Sequence, residues 1–116
     1  MNRVALMTIG LGLMALAGCR AAPDPVPLSQ LDPHQARGRS VFIARCGLCH
    51  YDRQYGDLHG PSLASLYKKP ALPSGAAATD ERVVATIVHG RNNMPAQGGQ
   101  IDADQMNDLL AYLHTL

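Results

Sequence analysis

Residues 44–52 read ARCGLCHYD, which places Cys46 and Cys49 three apart and His50 directly after the second cysteine. Three groups able to bind metal or form covalent links within five positions constrain the fold more than anything else in the chain, because each use of them requires different company. They could form a dithiol redox pair, half of a zinc site, a plain disulfide, or two anchors for a cofactor. The rest of the chain narrows the choice. From Asp32 to Leu116 only 23 of 85 residues are large apolar or aromatic, and the whole chain has one Phe and no Trp. A domain this small with so little core material usually needs a metal, disulfides or a cofactor to fold.

The first 18 residues read as a signal segment. Arg3 supplies a positive end, Val4 to Ala17 is an apolar run, and "LAGC" ends at Cys19. The run is shorter than the ~20 residues of a membrane span. The "LAGC" ending resembles the lipobox of bacterial lipoproteins, so Cys19 is expected to become the lipidated first residue of the mature protein. The alternatives are an ordinary signal peptide with an incidental cysteine, or an uncleaved anchor. Residues 19–31 then form a tether with prolines at 23, 25 and 27, a composition that favours extended polyproline-like backbone. The domain proper spans 32–116.

Within that domain the helix signals are clear. Asp32-Pro33 pairs an N-cap with proline at the first helical position, and Gln35 completes a capping-box pattern. This helix runs into the cysteine motif, which places Cys46 and Cys49 at i and i+3 on one face. A second helix is expected from Asp80 to His89, with a stripe of Val83, Val84, Ile87 and Val88 and a terminating Gly90. A third begins at Asp102 as N-cap and carries Met106, Leu109, Leu110 and Leu113 on one face. A short helical turn is expected at Ser62 to Tyr67, followed by a loop rich in Pro and Gly. No run alternates as a strand does, and there are no internal repeats. The domain is formally neutral, with 8 acidic and 8 basic side chains, which gives no support to nucleic-acid binding.

This company decides the motif. A structural zinc site needs four ligands, usually with a second Cys/His pair. Only Cys19 remains, while His34, His59, His89 and His114 show no paired spacing. A thioredoxin-like pair sits where a strand meets a helix, and no strand precedes Ala44. A disulfide across two residues closes too short a loop to stabilise much. Cys-x-x-Cys-His is the attachment pattern of c-type haem, and a large planar cofactor also supplies the apolar surface that the side chains lack. On this reading Cys46 and Cys49 hold the haem and His50 binds its iron.

The second face of the iron needs a partner, and HGRNNMPA, residues 89–96, offers Met94. It lies beyond Gly90, and Pro95 biases it to extended backbone, so it belongs to a loop and not to a packed stripe. Met106 reads as core filler. His59 and His89 are the rival ligands. His/Met ligation raises the reduction potential.

Taken in order, these segments resemble a small class I cytochrome c over essentially Asp32 to Leu116. GRSVFIARCGLCH resembles the first helix of that family, with Gly38 and Phe42 at its helix-crossing site. LLAYL resembles the last helix, with Leu109 and Tyr112 as their partners. GPSL and MPA resemble the segments that orient the axial histidine and supply the distal ligand. The resemblance implies an all-α cytochrome c fold, three main helices and a short helical turn wrapped around one covalently bound haem c with its iron. It also implies that the terminal helices cross at Gly38 beside Tyr112, and that the Pro61 carbonyl accepts from His50 Nδ1. Lys68 to Thr79 matches no family motif, so the residues that hold the haem carboxylates stay open among Arg91, Asn92, Asn93 and Tyr67.

The expected function is single-electron transfer on the periplasmic side of a bacterial membrane. The protein would not be an enzyme, and Asp52 and Asp57 near His59 are expected to be solvated and not hydrolytic. Its partners would be redox proteins such as a dehydrogenase, an oxidase or other cytochromes, with a membrane contact through the lipid and no nucleic acid. It would be a monomer or a subunit of a redox complex. The alternatives are a dedicated haem subunit of a periplasmic dehydrogenase and a haem-based ligand binder or sensor.

Overall fold

Three helices carry the domain: α1 (Pro33–Arg45), α2 (Asp80–His89) and α3 (Ala103–Leu113). The computed structural model describes residues 21–116, so the signal segment and Cys19 lie outside the described residues. Two single 3-10 turns, Leu28–Gln30 and Leu66–Lys68, complete the regular structure. The second is the shorter form of the helical turn expected from Ser62 to Tyr67. Among the described residues the nearest thing to a strand is one isolated bridge, Arg91 to Met94.

Each helix starts where its cap dictates. Asp32 and Asp102 both form complete capping boxes with Gln35 and Gln105, satisfying backbone donors that a helix start otherwise leaves open. Thr79 caps α2 through Arg82 N–H, and Gly90 ends it at φ +72°. The apolar faces meet in one core of Phe42, Leu66, Val83, Ile87, Ile101, Met106, Leu109, Tyr112, Leu113 and Leu116. Met106 is core filler, as expected.

The terminal helices α1 and α3 pack directly on one another. A Cβ on Gly38 would lie 1.8 Å from the Asp108 carbonyl oxygen and 2.8 Å from Tyr112 Cβ. Gly38 is therefore the point of closest approach, and the backbone of Asp108 comes even nearer than Tyr112. Phe42 and Tyr112 meet beside it as tilted rings, centroids 6.0 Å apart at 55°. Tyr112 is fully buried, and its hydroxyl donates to Asp52 at 2.5 Å. Asp52 is thus a structural acceptor for the last helix, not a freely solvated carboxylate, while Asp57 is exposed.

The crossing is locked by charge. Arg37 donates to both oxygens of the buried Asp108 carboxylate, at 2.7 and 3.1 Å, and His34 Nδ1 lies 2.8 Å from Oδ1. Hydrogen bonding from Arg37, then from His34, holds the Asp108 carboxyl below the ordinary carboxylate range. The unfolded carboxyl titrates near ~3.9. A depressed folded value means that this stabilisation is complete above that pH and is lost as pH falls through the folded value. Thermal melts of the wild type should therefore fall off below about pH 4. Asp108→Asn should start lower at neutral pH and show a shallower acid decline, and an unchanged acid profile would remove Asp108 from the account.

Candidate functional site

Helix α1 stops at Arg45 and the chain turns back at once. Cys46 caps the helix through its N–H to Phe42 O, 2.7 Å, and the N–H groups of Cys49 and His50 both donate to the Cys46 carbonyl at 2.9 Å. The motif thus sits on the turn that closes α1 and not on the helix itself. The outcome for the side chains is the same, because Cys46, Cys49 and His50 all line one cavity. Cys46 and Cys49 are not bonded to one another. Burial first, and the neighbouring Cys49 second, push the Cys46 thiol up to about 11. A dithiol redox pair works through a readily formed thiolate, so this environment argues against exchange chemistry.

His50 is held in one tautomer. Its Nδ1 lies 2.8 Å from the Pro61 carbonyl oxygen, an atom that can only accept, so the proton sits on Nδ1 and the Nε2 lone pair is left for a metal. The preceding residue makes room for the ring. A Cβ on Gly60 would fall 2.6 Å from His50 Cε1 and 3.0 Å from Nδ1. Gly60 N–H also donates to the Cys49 carbonyl at 2.8 Å, tying the two segments together. The place of Gly60 beneath the imidazole was not read from the sequence, although its position before Pro61 in GPSL was the available signal.

Met94 reaches the same cavity from a loop closed on itself. Arg91 N–H donates to Met94 O at 3.1 Å and Met94 N–H returns to Arg91 O at 2.9 Å, with Asn92 at φ +50° inside the turn. Beyond the methionine, Gln97 and Gly98 N–H donate to the Ile87 and Val88 carbonyls near the end of α2, at 2.8 and 3.2 Å. Both legs of the loop are thereby fixed to one helix end. Gly90 packs so tightly that a Cβ there would lie 2.4 Å from the Met94 carbonyl oxygen. Met94 itself is half-buried and packs against the core.

The cavity measures about 570 Å³, a size suited to a cofactor. Leu63 and Leu66, Val83 and Ile87 of α2, and Leu109 and Leu113 of α3 give it apolar walls. Leu72, Pro73 and Ser74 add a further wall from the stretch that no motif could place. A tight turn holds that stretch in position, with Leu72 N–H to Ala76 O at 2.7 Å and Gly75 at φ +83°. Of the rival ligands, His59 lines the cavity and is exposed, whereas His89 is exposed and does not line it. Arg91, Asn92 and Asn93 line it; Tyr67 does not. The Tyr67 hydroxyl is committed to Asp80 at 2.6 Å and its ring stacks on His114, centroids 3.8 Å apart.

The lining is what a haem would require. It offers two thiols for covalent bonds, an oriented imidazole, a thioether and a largely apolar slot. Among the described residues Arg91 is the one guanidinium or ammonium group along it, available for the carboxylates of such a group, and no carboxylate lines the cavity. The fold and the site define an all-α domain built around one c-type haem.

Comparison with known proteins agrees. The chain belongs to the cytochrome c family, matching over residues 33–113 the family model described as cytochrome c oxidase, cbb3-type, subunit III. Cytochrome c6 of Leptolyngbya boryana is 35% identical over 78 residues, covering 67% of this chain and 87% of that protein. Cytochrome c6 of Diacronema lutheri is 28% identical over 78 residues, covering 67% and 90%. Among solved structures, cytochrome c6 from the diatom Phaeodactylum tricornutum aligns with a TM-score of 0.53 at 25% identity, covering 68% of this chain and 88% of that one. The protein is a small class I cytochrome c, with one covalently bound haem c and its iron, and acts as an electron carrier.

Proposed function

We propose that Cys46 and Cys49 would attach the haem, that His50 Nε2 and the Met94 thioether would ligate its iron, and that Cys19 carries a lipid holding the domain on the periplasmic side of a bacterial membrane. The observation that carries the ligand assignment is His50, fixed as the Nδ1–H tautomer by Pro61, in the same cavity as Met94. The bound haem iron supplies the one-electron chemistry.

The chain does the rest. Pro61 orients the imidazole and strengthens it as a donor, and the leucine and valine walls keep water from the centre. The choice of a thioether over a second imidazole raises the reduction potential, and Arg91 offers positive charge toward the haem carboxylates. Leu48, 81% exposed between the cysteines, and the exposed Ile43 present apolar surface next to the attachment point, where a redox partner can exclude water. In this reading the membrane contact comes from Cys19; among the described residues no helix is long and apolar enough to cross a membrane.

Absorption spectra of the full chain, oxidised and reduced, with a reversible one-electron titration, test the carrier function. A ferric spectrum lacking any sulfur-to-iron band would remove Met94. Cys19→Ser tests the anchor. It should yield a soluble periplasmic cytochrome or an unprocessed precursor, whereas mature wild-type protein recovered soluble with a free Cys19 thiol contradicts lipidation. A second reading, a subunit held permanently in a redox complex, is favoured by the matching family model, which describes an oxidase subunit. Stoichiometric co-purification with larger subunits separates it from a free carrier.

A further inference from the structure

The proline-rich segment reads as a spacer, yet its second half is fastened to the domain. In Pro25-Val26-Pro27 only the middle residue has an N–H, and that N–H donates to the Thr115 carbonyl at 2.8 Å. The Val26 carbonyl accepts from the Arg53 guanidinium. Both main-chain polar groups of Val26 are thus satisfied by the domain, one by the end of the chain and one by the loop after His50. The following turn closes with Gln30 N–H to Pro27 O at 2.9 Å, and Leu31 packs against the core. Prolines on either side of Val26 fix φ and reduce the entropy lost on ordering this stretch.

We infer that Val26 to Leu31 is a docked strap that shortens the free tether and confines the haem domain to the immediate neighbourhood of its anchoring surface, so that its electron partner is a protein of that same membrane. The membrane part of this inference rests on lipid at Cys19. Six residues lie between Cys19 and Val26, a reach of roughly 20 Å in polyproline geometry, against roughly 40 Å if the chain were free to Asp32. A folded domain of 85 residues is itself about 30 Å across. With the strap docked, the tether is shorter than the domain it holds. Such a leash raises the effective concentration of partners in the same plane and adds no reach toward soluble ones.

The test uses the full haem-loaded chain. In the wild type, hydrogen exchange should show the Val26 amide protected to a degree approaching the amides of α3. Arg53→Ala should speed that exchange at least tenfold, more than it speeds any amide of α3, whose Tyr112 hydroxyl Arg53 also reaches. It should leave the absorption spectrum unchanged, because neither Arg53 nor Val26 lines the haem cavity. A wild-type Val26 amide that exchanges at the unprotected rate overturns the strap. On phospholipid vesicles bearing a fluorescent headgroup, the haem of the wild type should quench the dye more than that of a Val26→Pro/Arg53→Ala variant. Equal quenching overturns the leash. Intact mass reports the lipid separately: its absence refutes the membrane part, while the exchange result still decides whether the strap is docked.

Discussion

Gly38→Ala is expected to lower the melting temperature by roughly 5–20 °C, or to prevent accumulation of holoprotein. In an ordinary helix interior alanine would be the better residue by about 1 kcal/mol. Here its Cβ would lie 1.8 Å from the Asp108 carbonyl oxygen and 2.5 Å from the carbonyl carbon. The obstructing atoms are backbone, so no side chain can rotate away. Nor is α3 free to retreat, because Arg37 and His34 hold Asp108 from one side and Asp52 holds Tyr112 from another. The overpacking cost is about 1–3 kcal/mol or more, a large part of the 5–15 kcal/mol that keeps domains folded. Ser40→Ala is the control: Ser40 is exposed and its hydroxyl reaches only Ala36 O at 3.3 Å, so a change within about 0.5 kcal/mol is expected. Melting curves and holoprotein yield decide. A Gly38→Ala protein that matched the wild type would show that the helices do not cross here.

Met94→Ala should abolish the sulfur-to-iron charge-transfer band of the ferric protein, open the iron to small added ligands and lower the reduction potential. The packing loss is the lesser effect. Burial and truncation of methionine cost about 2–5 kcal/mol when complete, and Met94 is only half-buried. Its loop should persist, since the bonds that close it are main-chain bonds between Arg91 and Met94 and from Gln97 and Gly98 to α2. His59→Ala and His89→Ala should leave the ferric spectrum unchanged. If Met94→Ala left it unchanged instead, His59, which lines the cavity, would be the first candidate.

Much of the fold was legible because its signals are local. Asp32-Pro33 with Gln35, Asp102 with Gln105, and Gly90 after a valine-rich stripe each mark a helix end through chemistry contained within a few residues, and the helices begin and end there. Gly38 was legible for a different reason: a glycine inside a helix is unfavourable unless something approaches the backbone, and Asp108 and Tyr112 do.

What escaped the sequence depends on contacts between distant segments. The cysteine motif was expected on the helix, but main-chain bonds to Phe42 and Cys46 turn the chain within it. Leu72 is the one large apolar residue between Lys68 and Thr79, and only tertiary placement makes it a cavity wall. Tyr67 looked available to the cofactor until Asp80, thirteen residues on, claimed its hydroxyl. Asp52 looked solvated until Tyr112, sixty residues on, donated to it. Residues 26–31 read as plain spacer, because nothing in a run of alternating prolines announces that Thr115 and Arg53 will bond to it.

The central claim is that the haem is bonded to the chain through Cys46 and Cys49. It is tested most directly by haem staining after denaturing electrophoresis, alongside acid–acetone extraction of the native protein. The account predicts a stained band for the wild type, colour that stays with the protein through extraction, and no stained band for the Cys46→Ala/Cys49→Ala variant. Colour that passes into the acetone layer, leaving an unstained wild-type band, would contradict it.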